Sequence, residues 1–534
     1  MDAFPFNSDE AIIGLMARHI LNGERPVFFY GQSYMGSLDA YLVALFFLFL
    51  GAQSWVIRFV QILLYLAVII SSLHLLKLLG LNQRVQIITA CMLAIPSVNV
   101  TLYTTVSLGG YNEALLIGNL ILIVSVMIYQ KIPQFLTVPK ENRDKPGWWL
   151  IGGLGFLIGF GLWVNGLTLV YAVPAGGLIL WGLIRNDSKR GWEVFIRFSF
   201  WGLAGFIIGS SPWWIFGLIN AAGSSLMGEL LGSAVAVESG GWFQIALSHL
   251  FSFVLFGLTA LLGFRPPWSV DWLAFPMIPF VVIFWGLVAV YTFKRAQKWD
   301  QSEPGFFLSV GVVVTLASGF IFTSFGTDPS GRYFLPLWIP FSILAAGMVD
   351  EWIPTTQWKI AVVCFILIFH GVGIIQSAIN NPPGLTTQFD LKTVVDHRYD
   401  KDLIRFLEDK EETCGYSNYW VSYPLAFNSN EKLIFIPSLP YHQDLRYTPR
   451  DDRYKPYTDY VEGCGRVAYI LTHNPALETY VREKFKEQDI YWDEKLIGDY
   501  LVMYNLSSKI SPSEIGLGGT TSTQMLEDQK SYFE

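Results

Sequence analysis

The sequence predicts a polytopic α-helical membrane protein with a small soluble α/β domain at its C-terminal end. Of its 534 residues, 52% are hydrophobic and 15% are charged, and the mean hydropathy of +0.40 is far above that of an ordinary soluble domain. Apolar runs of roughly 20 residues, long enough to cross about 30 Å of hydrocarbon as helices, recur from Trp55 to Ala378. From Leu385 onward the chain is polar, which predicts a water-soluble domain after the last span.

This change in composition sets the predicted domain boundaries. Residues 1–384 form the membrane domain, residues 385–506 form an extracytoplasmic α/β domain, and residues 507–534, rich in Ser, Thr and Gly, form a disordered tail. About 25 of the 43 acidic residues but only about 17 of the 36 basic residues follow Leu385, so the net charge of −7 lies in the polar part. A negatively charged part without a basic block argues against nucleic acid as a partner.

The apolar runs predict about ten membrane spans. These are residues 55–79, 84–101, 111–130, 148–165, 166–183, 194–219, 272–293, 306–325, 333–349 and 359–378. Positive charge marks every second connector, and connectors of this kind face the cytoplasm. The marked connectors are residues 77–84, 131–145, 185–190 and 294–298. We therefore expect a multi-pass protein of the plasma or inner membrane, surrounded by membrane lipids.

One apolar stretch, residues 243–264, would break this alternation if it crossed the membrane. We predict that it is instead a hairpin or an interfacial helix on the outer side. With that choice the N-terminal segment, the loop at 221–242, the loop at 326–332 and the C-terminal domain all share the outer face.

Two amphipathic stretches precede the first span. Residues Ser8–Leu21 and 36–50 are predicted to be helices at the membrane surface, because the second is short and is interrupted by Asp39. No span precedes them, which leaves open whether a first membrane helix is missing ahead of Met1.

The polar domain is predicted to mix helices and strands. Residues 403–409 and Pro475–Glu487 have helical patterns. The predicted strands are residues 419–427, 432–436, 467–472 and 500–504. Cys414 and Cys464 lie in this domain and are either a disulfide or two free thiols. No cysteine or histidine spacing typical of a metal site is present.

The first candidate for chemistry is the pair Asp9 and Glu10 at the start of the first amphipathic stretch. A carboxylate beside an outer cavity could act as general base on an acceptor hydroxyl or amine. The alternative is that Ser8 or Asp9 only caps the helix, since carboxylates are favoured at helix N-termini.

The second candidate is the run FFYGQSYMGSLDAY, in which Tyr30, Gln32 and Tyr34 surround a glycine turn. Aromatic and amide groups suit the faces and hydroxyls of sugars, which predicts a sugar or acceptor site. An aromatic belt that anchors the surface helices explains the same residues equally well.

Two further candidates lie at the outer ends of spans. Glu113 in SLGGYNEALLIG begins an otherwise apolar span, and an ionisable group there favours a functional role over a merely solvated helix start. In FGTDPSGRYFLPL, Arg332 with Tyr333 could bind a phosphate through its planar guanidinium, unless Arg332 only pairs with Asp328.

In these motifs and their order the sequence resembles the GT-C superfamily of membrane glycosyltransferases, particularly the branch with protein O-mannosyltransferases, aminoarabinose transferases and their uncharacterised bacterial relatives. In those families an Asp-Glu pair opens the first outer loop, and two surface helices, further spans and often an outer soluble domain follow. Here Asp9 and Glu10, the two amphipathic stretches and the polar domain have the same order.

The resemblance implies an inverting transfer of a hexose or pentose from a polyprenyl-phosphate donor to a lipid, glycan or protein acceptor at the outer face. It implies Asp9 as the base, Glu113 as a second acidic position, and Arg332 as the group that holds the donor phosphate. A divalent cation between the carboxylates and the phosphate is compatible with this chemistry, although no ligand spacing predicts one. Two departures, the absent first span and the run YGQSYMG in place of a basic or His-Pro-Pro motif, leave the donor sugar open.

Two other classes compete with a transferase. A transporter or lipid flippase needs polar groups deep in the membrane and discontinuous helices, and Asn165 and Pro174 leave room for that interpretation. A membrane scaffold whose polar domain binds partners would not need the acidic and arginine positions. The ionisable groups gather at one face, which favours chemistry at a membrane surface.

Overall fold

The computed structural model describes residues 5–137, 147–185, 191–219, 240–298, 303–328, 330–380, 395–442, 445 and 447–517. Contacts divide the chain into two compact units. The first unit contains Met1–Ser33, Ala40–Arg58 and Ala378–Glu534, and the second contains Tyr34–Asp39 and Phe59–Ser377. The N-terminal helices thus pack in the same unit as the polar C-terminal domain. The predicted boundary at 384/385 lies outside the described residues.

The described helices, numbered in chain order, are mostly long and apolar. They are α1 (Ser8–Leu21), α2 (Leu38–Leu50), α3 (Ser54–Leu78), α4 (Gln83–Ala94), α5 (Val98–Thr105), α6 (Tyr111–Thr137), α7 (Trp148–Val164), α8 (Leu169–Arg185), α9 (Gly191–Gly209), α10 (Ser211–Ile219), α11 (Trp242–Leu261), α12 (Ile278–Gln297), α13 (Pro304–Phe322), α14 (Trp338–Trp352), α15 (Thr356–Asn380), α16 (Asp400–Asp409), α17 (Tyr419–Asn428), α18 (Lys455–Gly463) and α19 (Pro475–Glu487). Nine helices within the described ranges are long and apolar enough to cross a membrane, or ten if the bent pair α4 and α5 is one span. The predicted polytopic helical architecture is confirmed.

Three predicted spans differ in detail from the structure. The predicted span at 84–101 is two helices rather than one continuous helix, because α4 and α5 meet at an angle of 71°. Pro96 lies in the break and has no N–H to continue the helical hydrogen bonds. The predicted span at 194–219 is likewise two helices, α9 and α10, and α7, with 17 residues, is shorter than a typical span.

Helices α7 and α9 pack with their backbones in direct contact. A side chain on Gly155 would place its Cβ 1.9 Å from the carbonyl oxygen of Gly202, and one on Gly205 would lie 2.0 Å from that of Gly152. Glycines three residues apart on each of the two facing helices allow this approach, and close packing takes the place of the hydrophobic driving force that is absent inside a bilayer. The close fit of the two backbones therefore determines how α7 and α9 pack against each other.

Helix α11 is a candidate span by length and composition, and its two ends contact the last residue of α13 and the connector between α13 and α14. Trp242 stacks on Phe322 with 5.8 Å between ring centroids, and Gly257 and Ala260 lie against Phe334 and Gly331. Because its length and composition also suit a membrane span, the interfacial segment or hairpin at 243–264 stays a prediction.

The polar domain is built on a five-stranded sheet. Its strands are β3 (Cys414–Ser417), β4 (Ile434–Pro437), β5 (Ala468–Thr472), β6 (Asp493–Ile497) and β7 (Tyr500–Tyr504). They lie in the order β4-β3-β5-β7-β6, with β4, β3 and β5 parallel and β7 antiparallel to both β5 and β6. A disulfide joins Cys414 to Cys464. The two predicted helices and the three predicted strands at 432–436, 467–472 and 500–504 correspond to α16, α19, β4, β5 and β7.

Residues 419–427, predicted as a strand, instead form α17. The side chain of Asn418 caps this helix by accepting a hydrogen bond of 3.0 Å from the Trp420 N–H. Every residue from Tyr419 to Phe427 is buried, so the helix has no polar face and its sequence shows no helical period. The strand β6 was not predicted, because its exposed, charged sequence has no strand-like alternation.

The start of the predicted disordered tail is ordered. Ile510, Ile515 and Leu517 are buried, and the Tyr469 hydroxyl donates a hydrogen bond of 2.9 Å to the carbonyl of Ile510. The prediction for residues 507–517 is therefore wrong, because three apolar side chains anchor a segment of otherwise polar composition. Residues 518–534 lie outside the described part of the chain.

The N-terminal helix α1 has the predicted bounds. Its apolar face packs against α17. A Cβ on Gly14 would lie 2.4 Å from the ring of Phe427, so α1 and α17 are in close contact. The predicted helix at 36–50 begins only at Leu38, because residues Gln32–Gly36 form the strand β2, which pairs with β1 (Phe28–Phe29).

Candidate functional site

In the first unit, the acidic pair lies at the start of α1, where the two carboxylates have different surroundings. Asn7, not Ser8 or Asp9 as predicted, caps the helix, and its side-chain oxygen accepts a hydrogen bond of 3.1 Å from the Glu10 N–H. The capping interpretation of the acidic pair is therefore wrong. Ser8 uses its hydroxyl for another contact, a hydrogen bond of 2.5 Å to the carbonyl of Tyr419.

Glu10 is fully buried and paired with a buried arginine. Arg58 donates two hydrogen bonds to its carboxylate, from Nε to Oε1 at 2.9 Å and from Nη2 to Oε2 at 2.8 Å. Burial raises the pKa of Glu10, and the guanidinium of Arg58 opposes that effect. A bidentate pair of this kind holds α1 against the start of α3.

Asp9 is half-buried and accepts a short hydrogen bond from the phenol of Tyr419. Burial raises the pKa of Tyr419 well above its ordinary value, so this phenol remains protonated and donates. The aromatic ring of Tyr419 also lies beneath the guanidinium of Arg453, with 5.4 Å from Cζ to the ring centroid. Residues more than 400 positions away in the sequence therefore surround Asp9.

The carboxylate of Asp451, which no sequence motif singles out, also interacts electrostatically with Asp9. It is 8% exposed, and burial raises its pKa to about 7, with Arg453 lowering it and Asp9 raising it. The nearby Tyr423 hydroxyl donates a hydrogen bond of 2.9 Å to the Asp451 carbonyl and accepts one of 2.6 Å from the Arg453 N–H. A single acidic residue in a polar segment carries no pattern that predicts such a position.

Tyr30, a predicted sugar-binding residue, belongs to a different cluster of the first unit. Its hydroxyl donates a hydrogen bond of 2.6 Å to Glu24 and lies 2.9 Å from Nδ1 of His19. The ring of Tyr454 stacks on both Tyr30 and His19, at 4.6 and 4.7 Å between centroids. Gln32, also a predicted sugar-binding residue, lies in β2 and is partly exposed.

In the second unit, four predicted or neighbouring residues gather around Arg332. Its guanidinium forms an ion pair of 2.5 Å with Asp328 and lies over the ring of Tyr333, 5.0 Å from the centroid. The phenols of Tyr34 and Tyr111 also interact electrostatically with it. The Arg332 side chain remains 30% exposed, so one cationic group with three phenols around it is open to solvent.

Glu113 lies in the same unit and is 2% exposed, next to the equally buried Asp39. Asp39 accepts hydrogen bonds from Gln61, at 2.8 Å, and from Ser107. The amide of Asn112 then bonds to the Gln61 side chain at 2.9 Å. In the sequence Asp39 appeared only to interrupt a surface helix, whereas the fold makes it the centre of a buried polar network.

The described residues contain no group of three His, Cys, Asp or Glu side chains that could hold a metal ion. Asp39 and Glu113 supply only two carboxylates, which is too few for a protein-held Mg²⁺ or Ca²⁺ without ligands from a substrate or water.

No protein-family model and no curated protein sequence matches the chain. Its structure is similar to that of ArnT from Cupriavidus metallidurans in the apo state, with a TM-score of 0.58, 12% identity and 94% of each chain covered. The similarity to the same ArnT bound to undecaprenyl phosphate has a TM-score of 0.55, 12% identity and 95% coverage of each chain. Both are GT-C glycosyltransferases.

The chain has a GT-C-like fold. An oligosaccharyltransferase of Archaeoglobus fulgidus, also of this class, matches at a TM-score of 0.50 and 11% identity, over 88% of this chain and 66% of the archaeal one. The fold suggested by the acidic pair, the surface helices and the polar domain is thus confirmed. At 12% identity the similarity establishes the fold alone.

Proposed function

We propose that the chain is an inverting glycosyltransferase that moves a sugar from a polyprenyl-phosphate donor to a lipid, glycan or protein acceptor. The observation that carries this proposal is the GT-C-like fold, which extends over 95% of the chain in the comparison with ArnT bound to undecaprenyl phosphate. The donor is a hexosyl or pentosyl polyprenyl phosphate.

Arg332 binds the donor phosphate in this proposal. Its guanidinium is permanently charged and planar, which suits bidentate contact with phosphate oxygens. The guanidinium forms an ion pair with Asp328, and the Arg332 side chain is still 30% exposed. Tyr333 and Tyr34 add hydroxyl groups that can donate to the same phosphate or to the sugar.

Asp9 acts as the general base in this proposal and Glu10 supports the structure. Asp9 is the partly exposed member of the pair, whereas both oxygens of Glu10 are bound by Arg58. Asp9 takes the acceptor proton as the acceptor oxygen or nitrogen attacks the anomeric carbon and the bond from that carbon to the phosphate oxygen breaks. A single displacement of this kind inverts the anomeric configuration. Glu113, beside Asp39, stays a proposed second acidic position.

The reaction takes place at the outer face of the membrane in this proposal. The disulfide between Cys414 and Cys464 supports an oxidising compartment for the polar domain, because cytosolic thiols are normally kept reduced. Positive charge at the connectors 77–84 and 294–298 supports a cytoplasmic location for the opposite ends of the spans.

The test is transfer from a panel of radiolabelled polyprenyl-phosphate sugars in membranes that contain wild type, Arg332→Ala or Arg405→Ala. Arg405 is a matched control, since it is 74% exposed and lies in α16 of the polar domain. We expect the wild type and Arg405→Ala to transfer sugar from one donor, and Arg332→Ala to lose at least about 100-fold in activity, because a charged contact to the phosphate is absent.

A transporter or flippase of polyprenyl-linked sugars is the second candidate, favoured by the break between α4 and α5, since discontinuous helices mark transport sites. Movement of a labelled lipid across vesicles without any sugar transfer, for every donor of the panel, would favour this alternative.

A further inference from the structure

One contact of Asp9 comes from a segment that the sequence places in a separate domain. The phenol of Tyr419 donates to Oδ1 of Asp9, and the carbonyl of the same residue accepts from the hydroxyl of Ser8 at 2.5 Å. Tyr419 thus holds two successive residues at the start of α1, one through its side chain and one through its backbone. All of these residues belong to the first unit.

Tyr419 is itself held in place from several sides. It is 4% exposed, and its ring makes edge contacts with Trp420 and Tyr423 at centroid distances of 5.0 and 5.5 Å. The guanidinium of Arg453 lies over the ring of Tyr419, and the attraction between this cation and the π-electrons of the ring stabilises the ring's position. These contacts hold the Tyr419 phenol in one orientation. Its hydrogen bond therefore keeps one direction and orients one oxygen of Asp9.

The two members of the acidic pair, Asp9 and Glu10, have different partners and therefore different roles. Glu10 turns inward to Arg58, whereas Asp9 turns to Tyr419 and remains half-buried. A hydrogen bond from a neutral phenol favours the ionised form of a carboxylate, because it stabilises the charge without neutralising it. The hydrogen bond from Tyr419 orients Oδ1 of Asp9, and in the proposed reaction the second oxygen, Oδ2, takes the acceptor proton.

We propose that Tyr419 is a positioning residue for Asp9, so that a helix of the C-terminal domain completes the proton-accepting site of the transferase. The proposal rests on the proposed function and on the role of Asp9 in it. It makes the C-terminal domain a required part of the reaction rather than an appended module.

The test compares Tyr419→Phe with Tyr469→Phe. Tyr469 is a matched control, since its hydroxyl is also buried and hydrogen-bonded, at 2.9 Å to the Ile510 carbonyl. Both variants lose one buried phenol hydrogen bond in the same domain, so both should lose a similar amount of stability. The readout is the pH dependence of kcat/KM for transfer, together with the KM for the donor.

We expect Tyr419→Phe to lower kcat by roughly tenfold or more, with the donor KM within about twofold of wild type, because a hydrogen bond to a charged group is absent. The acidic limb of its pH profile should also differ from that of wild type, because the hydrogen bond from the Tyr419 phenol to the carboxylate is absent. Tyr469→Phe should leave both the limb and kcat unchanged.

An active wild type, an inactive Asp9→Asn and a Tyr419→Phe profile that overlays the wild type would overturn the positioning role while leaving the proposed function intact. Absence of transfer by the wild type from every donor would instead overturn the proposed function. Equal losses in Tyr419→Phe and Tyr469→Phe, with neither pH limb moved, would show that the phenol only stabilises the domain.

Discussion

At the scale of single residues, Glu10 and Asp9 are neighbours with opposite environments. The bidentate bonds from Arg58 at 2.8 and 2.9 Å leave no free oxygen on Glu10, and both partners are buried. Two adjacent carboxylates in a sequence motif therefore do not share one role. The environment of each side chain, not its place in the motif, decides what it can do.

The ion pair predicts a stability effect for Glu10. Glu10→Ala leaves the buried guanidinium of Arg58 without its partner, which should lower the free energy of unfolding by about 3 kcal/mol or more. The double variant Glu10→Leu with Arg58→Met should recover much of that loss, because no uncompensated charge remains. Thermal unfolding in detergent measures both, and a Glu10→Ala variant as stable as wild type would contradict a structural role.

Asp451 predicts a pH dependence of stability. Its pKa of about 7 in the folded protein lies above its ordinary value of 3.8, so the fold favours the protonated carboxyl. The stabilisation from this group is complete below pH 4 and is lost as the pH rises to about 7. Asp451→Asn, which cannot ionise, should gain stability relative to wild type between pH 5 and pH 8, by up to about 4 kcal/mol.

Melting temperatures of the wild type and Asp451→Asn, measured at about pH 5 and about pH 8, test whether the variant is the more stable protein. Asp402→Asn is the control, because Asp402 is 59% exposed and has only a loose contact of 3.8 Å with Arg405. A wild type that gains stability over Asp451→Asn as the pH rises would refute the assignment.

At the scale of elements, α1 is fastened to the polar domain by a polar cluster at its C-terminal end. Nε2 of His19 lies 2.8 Å from Glu431, which also accepts a hydrogen bond of 2.7 Å from Tyr457. Burial tends to raise the pKa of Glu431, but the bonds from His19 and Tyr457 outweigh it and lower that pKa. The cluster therefore depends on an ionised Glu431.

We expect Glu431→Gln to lower the free energy of unfolding by about 2 kcal/mol, since a charge-assisted hydrogen bond is lost. Hydrogen exchange should quicken in α1 first, because its last turn contains His19. The matched control is Glu408→Gln, whose carboxylate is 44% exposed and lies 3.7 Å from Lys432. Equal exchange in both variants would show that the cluster does not fasten α1.

The elements themselves were largely predictable, and the exceptions have physical causes. Long apolar runs fixed most spans, since only a helix satisfies its backbone inside hydrocarbon. The bounds of α1 and α19 also followed from their amphipathic patterns. Helix α17 did not, because burial on all sides removes the period on which such patterns depend.

About half of the proposed functional residues could be found in the sequence. Asp9, Arg332 and Glu113 stand out because charge beside an apolar run is costly without a role. Tyr419 and Asp451 do not, because their approach to Asp9 depends on the fold of a domain more than 400 residues along the chain. Asp39 was visible but was assigned to a helix surface instead of a buried network.

At the scale of the whole molecule, the orientation in the membrane is a prediction of its own. Tyr491 is 78% exposed in the polar domain, and Ala296 is exposed in the positively charged last turn of α12. A membrane-impermeant maleimide on intact cells should label Tyr491→Cys, and should label Ala296→Cys only after permeabilisation. The reverse pattern would place the polar domain in the cytoplasm and contradict the proposed outer site.

If the chain is an inverting glycosyltransferase with Asp9 as its base, sugar transfer should depend on Asp9. The most direct measurement is the rate and anomeric configuration of sugar transfer from a polyprenyl-phosphate donor by purified wild type, Asp9→Asn and the control Asp402→Asn. We predict an inverted product from the wild type and from Asp402→Asn, and a rate at least about 100-fold lower for Asp9→Asn, since its base is absent. A retained anomeric configuration would contradict an inverting transfer, and undiminished transfer by Asp9→Asn would contradict the role of Asp9 as the base.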